Sequence, residues 1–414
     1  MLRCVIADMQ ATGHHPRYVR WIAESKFLQN NELIIVGAKE LLNHPEIKQA
    51  KGSFEQIEMS IDRATSIILE GNSFVGLIKR QLAYRALYAK AFHKVQSEFG
   101  NVNLIILPYI DHALDAWSAL GMKTSEAPWM GVSMHSVFHL RCIPGMSSPP
   151  RRDDAVRRLF FRKLLRQRNL RKLLTIDPTM LAYAESAFST SEYRRLAYLP
   201  DPSALYELSD RRTSRHHLSV PSEVYLVVLY GALSLRKGVR ELLQAVESSR
   251  CPKQVHVLLA GKQDKDVELL LSSDLADRLR SEQRIHILNQ YLDEALEKQI
   301  LSSADSVWVG YIGFYRMSGV LVLAARHRIP CIFTGQGIVG HLGRTLGLGA
   351  EINPNDIQTA IDALRSLAED PHLYDDRIRA AQFSLGAHSI ESFQSTISAL
   401  ACEAASIDSG PMPL

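Results

Sequence analysis

Short runs of Val, Ile and Leu alternate along the chain with longer stretches in which apolar residues recur every three or four positions. The short runs are typical of buried strands, and the longer stretches are typical of amphipathic helices. Strand patterns occur in two series, first at Arg3–Ala7, Leu33–Val36, Leu104–Leu107, Trp129–Ser133 and Leu173–Ile176, and then at Val224–Tyr230, Val255–Ala260, Ile285–Leu288, Ser306–Val309 and Ile329–Phe333. Helical patterns separate most of them, at Arg17–Phe27, Phe74–Gly100, Lys237–Ser248, Asp266–Arg280, Asp293–Leu301 and Ile357–Ala368. Because buried strands joined by helices form a parallel sheet covered on both faces, the sequence predicts an α/β protein with two doubly wound, Rossmann-like domains.

A break between the two series sets the predicted domain limits. The sequence Leu199–Pro202 and the polar stretch that follows it contain several helix-breaking residues. We therefore expect an N-terminal domain over residues 1–200 and a C-terminal domain over residues 201–385. Residues 386–405 contain a last helical pattern, which is expected to pack back toward the N-terminal domain, and residues 406–414 are expected to form a frayed tail. Domains of this class bind ligands at the carboxyl ends of their strands, so the two are expected to face a central cleft.

The composition of the 414 residues excludes several other classes of protein. Apolar residues make up 46% of the chain and charged residues 22%, as in ordinary soluble globular proteins. The five cysteines are scattered and form no C-x-x-C pair, which argues against a disulfide framework or a cysteine-rich zinc site and favours a reducing compartment. The longest apolar run, Val224–Leu235, is shorter than the ~20 residues that span a bilayer. A cytoplasmic protein, at most peripheral on the inner face of a membrane, is expected.

Basic residues are concentrated in one segment, Arg151–Lys172, which holds ten Lys and Arg residues and two Asp residues. Its apolar residues recur with the spacing of an amphipathic helix: Val156, Leu159, Phe160 and Leu164, with Phe161 and Leu165 on a neighbouring stripe. One interpretation is a solvated helix whose apolar stripe packs on its own domain. The other is a basic helix that lies on an anionic membrane or binds a phosphorylated acceptor, which would relieve repulsion between the cations. Nucleic acid is not an expected partner, because no zinc finger, helix-turn-helix or aromatic–basic pattern accompanies the segment.

The turn after the first strand contains candidate binding residues. Gly13 allows a tight turn, and the helix that follows would point free backbone N–H groups at a ligand. His14 and His15 could contact an acceptor, a sugar or a phosphate, although the same residues also suit an ordinary helix start. Two later strand ends contain Asp111, a further candidate on the acceptor or sugar side, and His135. A lone histidine after a strand is more often structural than catalytic.

The strongest candidate site opens the second domain. A buried strand is followed by a glycine turn at Gly231, by Ser234, and by the pair Arg236-Lys237 at a predicted helix N-terminus. The helix dipole, the free N–H groups and two cations suit a diphosphate. The alternative is a surface Arg-Lys pair that starts a helix. The residue order of a Walker loop is absent.

A further strand end, Tyr311–Leu321, opens another predicted helix. Arg316, Ser318 and the backbone amides of Ser318 and Gly319 are candidates for binding an anion, because a helix N-terminus offers unpaired N–H groups. Leu258–Lys262, at the end of the second strand of the same series, is compatible with the same site.

Several short motifs follow one another in the second half of the chain: Gly231, Ser234, Arg236-Lys237-Gly238, Leu259-Ala-Gly261, Ala304-Asp305, Ile329-Pro330, Gly335-x-Gly337 and Asn353-Pro-Asn-Asp356. In order and spacing they resemble the donor-binding half of family 4 glycosyltransferases, which have the GT-B fold. The resemblance covers residues 220–385. The N-terminal half matches only through the Gly13-His14 turn and its general plan.

The resemblance implies how a nucleotide-sugar donor would be bound. In that family the lysine of the K-G pair binds the donor diphosphate, which corresponds to Lys237. The glycine turn before it approaches the phosphates, which corresponds to Gly231, and Gly13 would face the same phosphates from the N-terminal domain.

The resemblance also implies contacts to the base, the ribose and the sugar. Backbone groups near Asn289, Tyr291 and Leu292 would hold the base and ribose. A histidine after an N-domain strand lies near the transferred sugar in that family, and His135 is the best match, so His135 and Lys237 are the catalytic candidates. Catalysis would require no metal ion and no cofactor, and the anomeric configuration of the sugar would be retained, with lysine and backbone amides stabilising the departing nucleotide diphosphate.

The chain departs from the family at three positions. An arginine usually follows the glycine turn, where this chain has Ala232, and Arg236 is the expected substitute. The family also carries two glutamates eight residues apart around the later helix opening, which contact the sugar and the ribose. Tyr315 and Leu323 stand at those positions.

The sequence thus predicts a glycosyltransferase that moves a sugar from a UDP- or GDP-sugar to a glycan, lipid-linked or small-molecule acceptor. One alternative is a catalytically inactive GT-B-like protein that binds a nucleotide sugar or a partner, which the missing glutamates favour. Another is a nucleotide-sugar epimerase on the same scaffold. A dehydrogenase is disfavoured, because neither first strand is followed by G-x-G-x-x-G with an acidic residue ~20 positions on.

Overall fold

A computed structural model describes residues 1–70, 74–122, 127–148 and 152–406 of the chain. Contacts divide the chain into two compact units. The N-terminal unit comprises Met1–Ile143, Pro150–Asp201 and Ile390–Leu414, and the C-terminal unit comprises Pro144–Pro149 and Pro202–Ser389. Arg151 and residues 407–414, which include most of the predicted tail, lie outside the described residues.

The N-terminal unit is built on a parallel sheet with strand order β3-β2-β1-β4-β5-β6-β7. Its strands are β1 (Arg3–Asp8), β2 (Glu32–Ala38), β3 (Glu55–Met59), β4 (Leu104–Leu107), β5 (Trp129–Ser133), β6 (Leu170–Thr175) and β7 (Leu196–Tyr198). The central strands are buried almost throughout because their residues are apolar on both faces of the sheet.

A second parallel sheet forms the C-terminal unit, with strand order β10-β9-β8-β11-β12-β13. Its strands are β8 (Tyr225–Tyr230), β9 (Val255–Ala260), β10 (Ile285–Leu288), β11 (Ser306–Val309), β12 (Cys331–Thr334) and β13 (Gly349–Ile352). Each unit has its own large cluster of buried apolar side chains, so the two predicted doubly wound sheets each support a core.

Helices connect the strands within each unit. In the N-terminal unit they are α1 (His15–Ala23), α2 (Lys26–Gln29), α3 (Lys39–Leu42), α4 (Pro45–Lys48), α5 (Arg63–Glu70), α6 (Phe74–Phe99), α7 (Leu114–Leu120), α8 (Asp154–Leu165), α9 (Pro178–Ala187) and α10 (Thr190–Tyr193). The C-terminal unit contains α11 (Arg211–His217), α12 (Val239–Glu247), α13 (Lys265–Leu271), α14 (Asp274–Ser281), α15 (Glu294–Ser303), α16 (Gly319–Arg326), α17 (Gly337–Leu346), α18 (Ile357–Glu369) and α19 (Asp375–Leu385). No helix in the described ranges is both long and apolar enough to cross a bilayer.

The last helix, α20 (Ile390–Ser406), belongs to the N-terminal unit although it follows the C-terminal unit in sequence. Its Phe393 is fully buried and packs edge-on against Tyr18 of α1, with ring centroids 5.4 Å apart. The hydroxyl of Ser398 accepts a hydrogen bond from the backbone N–H of Phe27 at 3.1 Å. The helix therefore completes the core of the unit in which the chain begins.

The sequence analysis did not predict three of the strands: β3, β7 and β13. All three lie at an edge of their sheet, where one side of the strand has no neighbour. In β3 only Ile57 and Met59 are buried, so the continuous apolar run of a central strand is missing.

Two predicted helices differ from the observed ones. The helix predicted from Lys237 begins at Val239, because Leu235–Lys237 form a separate 3₁₀ turn and Gly238 then adopts a left-handed conformation with φ of 75°. Lys237 is therefore in the turn before the helix and not at its first position. The helix predicted over Asp266–Arg280 is broken into α13 and α14.

The prediction of one basic helix across Arg151–Lys172 was also wrong. The helix α8 ends at Leu165, and Lys172 lies in strand β6. The buried side of α8 is the second predicted stripe, Phe161 and Leu165, together with Leu164. Two members of the first stripe, Val156 and Leu159, are each more than half exposed.

Candidate functional site

Each sheet has one point at which the strand order reverses. In the N-terminal sheet it lies between β1 and β4, and in the C-terminal sheet between β8 and β11. The loops leaving the two central strands turn in opposite directions there, which opens a crevice at the carboxyl ends of the strands. Candidate residues from the sequence gather at both of these points.

At the C-terminal reversal point, Lys237 is a buried cation without a counter-charge. Its side chain is 9% exposed, and its Nζ donates to the backbone carbonyl of Tyr230, at the end of β8, at 2.6 Å. The same Nζ lies 5.9 Å from the ring centre of Tyr311. None of the carboxylates that the structure describes pairs with it. Burial, with a smaller effect of the neighbouring Arg236, lowers the pKa of Lys237 to about 8.

Two glycines allow the loops around this lysine to approach one another. Gly231 has φ of 95° and Gly261 has φ of 131°, both in the left-handed region that disfavours other residues. A Cβ atom at Gly261 would lie 1.9 Å from the carbonyl oxygen of Gly231, and one at Gly231 would lie 2.8 Å from Lys237 Nζ. The position of the lysine therefore depends on both glycines.

The loop after β11 fixes the backbone of the Arg236-Lys237 pair. The indole Nε1 of Trp308 donates to the carbonyl of Lys237 at 3.0 Å, and the N–H of Ile312 donates to the carbonyl of Arg236 at 2.8 Å. The guanidinium of Arg236, on an exposed residue, lies over the ring of Phe314 at 4.9 Å. The structure thus brings Gly231, Arg236 and Lys237 together, as the sequence predicted, and adds aromatic side chains from β11 and its loop.

The same loop leads to the other anion-binding candidates. Ser318 is buried directly before α16, and its hydroxyl donates to the Tyr311 hydroxyl at 3.4 Å, a long contact. Gly319 is the first residue of α16 and is exposed, and Arg316 is half-buried in the loop. Ser234, also half-buried, precedes the 3₁₀ turn that contains Lys237.

The two positions at which the family carries glutamates have structural roles in this chain. Leu323 is buried on the inner side of α16. The carbonyl of Tyr315 accepts a hydrogen bond from the N–H of Ile338 at 3.2 Å, and a Cβ at Gly337 would lie 2.3 Å from the Cα of Tyr315. The backbone at Tyr315 is therefore held against α17.

The predicted base and ribose contacts lie after β10, the edge strand of this sheet. The Oδ1 of Asn289 accepts a hydrogen bond from the N–H of Gln263 at 3.1 Å, which links the loops after β9 and β10. Tyr291 is exposed and Leu292 is half-buried. These residues lie two strands away from β8 in the sheet, and their role as base and ribose contacts stays a prediction.

One sequence feature bears on metal binding in this unit. Asp264 and Asp266 have a D-x-D order at the start of α13, where Asp264 Oδ1 caps the helix by accepting from the N–H of Val267 at 2.9 Å. Among the described residues, His, Cys, Asp and Glu form no group of three or more that could hold a metal ion. Metal independence remains a prediction.

At the N-terminal reversal point, histidines from three loops gather around one tyrosine. Tyr109, after β4, has its hydroxyl 2.7 Å from Nδ1 of His135, which follows β5. Its ring lies 4.8 Å from that of His15 and 4.4 Å from that of His112, and His14 stacks on His15 at 4.7 Å. The structure thus brings His135 together with His14 and His15, although His135 is distant from that pair in the sequence.

A buried carboxylate orients one of these rings. Asp8, the last residue of β1, lies 2.7 Å from Nδ1 of His15 through its Oδ2, and both side chains are buried. His112 stacks on Tyr84 with ring centres 4.6 Å apart, and its buried Nε2 has no hydrogen-bond partner among the residues that the structure describes. Burial lowers the pKa of His112 to about 4, so this ring is neutral near pH 7.

Asp111, predicted on the acceptor or sugar side, holds the backbone of the next loop. Its carboxylate accepts hydrogen bonds from the Ser133 hydroxyl at 2.9 Å, from the N–H of Met134 at 2.7 Å and from the N–H of His135 at 3.3 Å. Gly13 is exposed with φ of 65° and has open space around it, as a glycine turn before α1 requires. Asp111 thus positions His135 in the loop after β5.

Several residues of these two clusters were not singled out from the sequence: Asp8, Tyr109, His112 and Tyr311. Each follows or ends a strand, which is the one signal that the sequence offers. That signal does not say which strands are neighbours, and β1 and β4 are about a hundred residues apart. Adjacency in the sheet is what brings these side chains together.

Several cations of the basic segment have partners within the N-terminal unit. Arg162 and Arg166 both bind the buried carboxylate of Glu192, at 3.0 and 2.7 Å. Burial opposes ionisation of Glu192, but hydrogen bonds from Arg162 and from Ser189 outweigh it and lower its pKa to about 2. Further partners are Asp153 for Arg157, Tyr183 for Arg158 and Glu403 for Lys172. Much of the repulsion expected from the sequence is therefore relieved inside the molecule.

Known proteins resemble this chain in structure. No protein-family model matches it, and a search of curated proteins found no significant match. Sucrose-phosphate synthase from Thermosynechococcus elongatus aligns over 97% of this chain and 99% of its own, with a TM-score of 0.70 and 16% sequence identity. HepE from Anabaena, solved in complex with UDP-glucose, aligns over 97% and 100%, with a TM-score of 0.66 and 15% identity. The chain has the GT-B fold.

These structural similarities confirm the predicted fold class, which has two parallel-sheet, Rossmann-like units. WaaG, a glycosyltransferase involved in lipopolysaccharide biosynthesis, aligns over 97% of this chain and 99% of its own with a TM-score of 0.62 and 12% identity. These similarities are structural, and the chemistry of this chain has to be argued from its own residues.

Proposed function

We propose that this protein is a glycosyltransferase that uses a nucleotide diphosphate sugar as donor. The observation that carries the proposal is the buried Lys237, which has no counter-charge among the described residues and lies where the C-terminal sheet reverses its strand order. An uncompensated buried cation destabilises the folded protein, and a diphosphate would supply the missing negative charge.

In the proposed complex, Lys237 and Arg236 neutralise the diphosphate, and backbone amides after Gly231 approach it. Arg316, Ser318 and Gly319 bind the distal phosphate, in place of the contacts that the family's glutamates make. Lys237 then stabilises the nucleotide diphosphate as it departs, with no metal ion required and with retention of configuration as the resemblance implies.

The remaining predicted contacts are part of the same proposal. The segment with Asn289, Tyr291 and Leu292 holds the base and ribose through its backbone. UDP is the first nucleotide to test, because HepE was solved with UDP-glucose. Gly13, His14 and His15 face the donor phosphates or the acceptor, and His135 lies near the transferred sugar, held by Asp111.

The proposed acceptor is a glycan, a lipid-linked molecule or a small molecule. Arg152, Lys163 and Arg168 are exposed cations of the basic segment, and none of them forms an ion pair with the carboxylates that the structure describes. They support the proposal that this face of the N-terminal unit meets an anionic membrane surface.

Isothermal titration calorimetry with UDP, GDP, ADP, CMP and dTDP, without added metal, tests the donor site. We expect one of these nucleotides to bind, and Lys237→Ala to weaken it by ~1.5–3 kcal/mol, the strength of a charge-assisted contact. Lys253→Ala is the matched control, because Lys253 is an exposed lysine paired with Glu282 just before β9, at the opposite end of the strands. Equal affinity in wild type and Lys237→Ala would exclude the assignment.

A catalytically inactive nucleotide-sugar-binding protein is the second candidate. The observation that favours it is the structural use of Tyr315 and Leu323, where the family carries glutamates. Binding of a donor without turnover over a broad acceptor panel would support this candidate. Release of an epimerised sugar in the absence of any acceptor would instead reveal an epimerase. If a product forms, the anomeric configuration of its new bond, read by NMR, tests retention.

A further inference from the structure

The helix α6 presents two apolar faces. The inner face packs Tyr84, Tyr88 and Phe92 into the core of the N-terminal unit. On a soluble protein the opposite face of such a helix is polar. In its first turns, however, α6 is apolar on both sides, and so is the outer side of α5, which packs against it.

The outer stripe consists of Ile67 on α5 and Val75, Ile78 and Leu82 on α6. These four side chains are between 44% and 64% exposed. The three residues of α6 are spaced by three and four positions, so they line one side of the helix. Single exposed aliphatic residues are ordinary, but a row of them on two adjacent helices indicates an interaction surface.

Cations accompany the outer stripe. From Phe74 to Lys94, α6 carries five Lys and Arg residues and no Asp or Glu. Lys79 and Lys90 are exposed. Arg85 instead donates to the carbonyl of Gly121 at 2.9 Å, which ties α6 to the end of α7.

The helix α8 extends the same side of the unit, because α6 and α8 both pack against α7. Gln81 of α6 donates to Asp115 of α7 at 2.9 Å. Burial raises the pKa of that carboxyl, and the nearby guanidinium of Arg157, on α8, opposes the rise. The exposed Val156 and Leu159 therefore belong to a helix that lies close to the outer stripe.

We propose that the outer stripe inserts into the headgroup region of an anionic phospholipid bilayer, with the lysines of α6 contacting the lipid phosphates. Aliphatic residues flanked by cations on an exposed helix are suited to such an interface. A second copy of this chain fits less well, since a symmetric contact would place exposed cations of α6 such as Lys79 near those of its partner. This inference rests on the proposed function, because it assigns the acceptor of the proposed glycosyltransferase to a membrane surface.

Flotation with lipid vesicles tests the inference. The purified full chain is mixed with vesicles of phosphatidylcholine alone or of phosphatidylcholine with phosphatidylglycerol. We expect the wild type to bind the anionic vesicles. The variant Val75→Ser, Ile78→Ser, Leu82→Ser should bind them more weakly by about tenfold or more, because its outer stripe loses most of its apolar surface. Lys79→Glu should weaken binding to the anionic vesicles only.

Leu269→Ser is the matched control, because Leu269 is an exposed leucine on α13 of the C-terminal unit. It should bind vesicles as the wild type does. Circular dichroism verifies that each variant is folded. Absence of wild-type binding to anionic vesicles, or equal binding by the triple-serine variant, would overturn the inference.

Sedimentation velocity of the same proteins tests whether the outer stripe instead contacts a second copy of this chain. Self-association of the wild type that the triple-serine variant abolishes, without any vesicle binding, would assign the stripe to a contact between copies and overturn the lipid assignment. Nucleotide titration and vesicle binding of the wild type separate the two proposals. Vesicle binding by the wild type without nucleotide binding would refute the proposed donor site alone, and nucleotide binding without vesicle binding would refute the membrane surface alone.

Discussion

At the scale of single residues, Lys237 is an energetically unfavourable feature of the C-terminal unit. Its ammonium group has one backbone carbonyl and one tyrosine ring as neighbours, and burial lowers its pKa to about 8. A lowered lysine pKa means that the folded state holds this proton less tightly than the unfolded state does. Lys237 therefore destabilises the fold at neutral pH, as a group kept for binding often does.

We expect Lys237→Met to stabilise the protein by roughly 1–3 kcal/mol at pH 7 while it weakens nucleotide binding. The gain is full below pH 8, where the lysine is charged in both states, and it decreases as the pH rises toward the unfolded value of 10.5. Urea unfolding of both proteins at pH 7 and pH 10 measures it. A variant that is less stable than the wild type at pH 7 would show that the lysine is structural.

Individual residues of the site were predictable where a strand end coincides with a glycine or a charge. Gly231, Arg236 and Lys237 meet that condition, and the structure brings them together. Asp8 and Tyr109 were not predictable, because their importance comes from residues on a neighbouring strand. Tyr315 and Leu323 show the opposite case, since their departure from the family was visible in the sequence but their packing roles were not.

At the scale of elements, close contacts between loops determine where the site residues lie. The loops after β8 and β9 touch through backbone atoms of Gly231 and Gly261, with no room for a side chain at Gly261. Any atom added there has to displace the loop that carries Lys237.

We expect Gly261→Ala to destabilise the protein by roughly 2–4 kcal/mol and to weaken nucleotide binding, because the added methyl group strains its backbone and displaces Gly231. Gly313→Ala is the matched control. Gly313 also has a positive φ, of 59°, but open space surrounds it, so only backbone strain of about 1 kcal/mol applies. Thermal unfolding and calorimetry of both variants make the comparison. Similar effects of the two substitutions would contradict a steric role for Gly261.

Elements were predictable to the extent that their burial was continuous. Central strands such as β1 and β8 are buried almost throughout and were found, whereas the edge strands β3 and β13 are less continuously buried, β7 is only three residues long, and all three were missed. The basic segment shows a second limit. Its periodicity predicted a longer helix than α8, and the buried Glu192 that pairs with Arg162 and Arg166 lies on a later element that periodicity does not connect to it.

At the scale of the whole molecule, the proposed donor site belongs to the C-terminal unit. We expect hydrogen exchange to slow on nucleotide binding in the peptides that contain Gly231–Lys237 and Tyr311–Ser318, because these loops would lose access to water and motion. Mass spectrometry with and without the tightest-binding nucleotide measures this. Protection confined to the loops after β1 and β4 would place the nucleotide on the histidine cluster instead.

The fold of the whole molecule was predictable from the alternation of strands and helices, and the structural comparisons confirm it. The strand order that creates each reversal point was not predictable, because it depends on pairing between strands such as β1 and β4 that are distant in sequence. Each candidate site depends on that pairing.

The position of α20 has a consequence for folding during translation. Phe393 packs on Tyr18, so the N-terminal unit lacks part of its core until the C-terminal unit has been translated. During that interval the apolar side of α1 around Tyr18 and Trp21 is uncovered, and exposed apolar surface of this kind makes a folding intermediate prone to aggregation. A chain interrupted before residue 390 would carry this unfinished surface permanently.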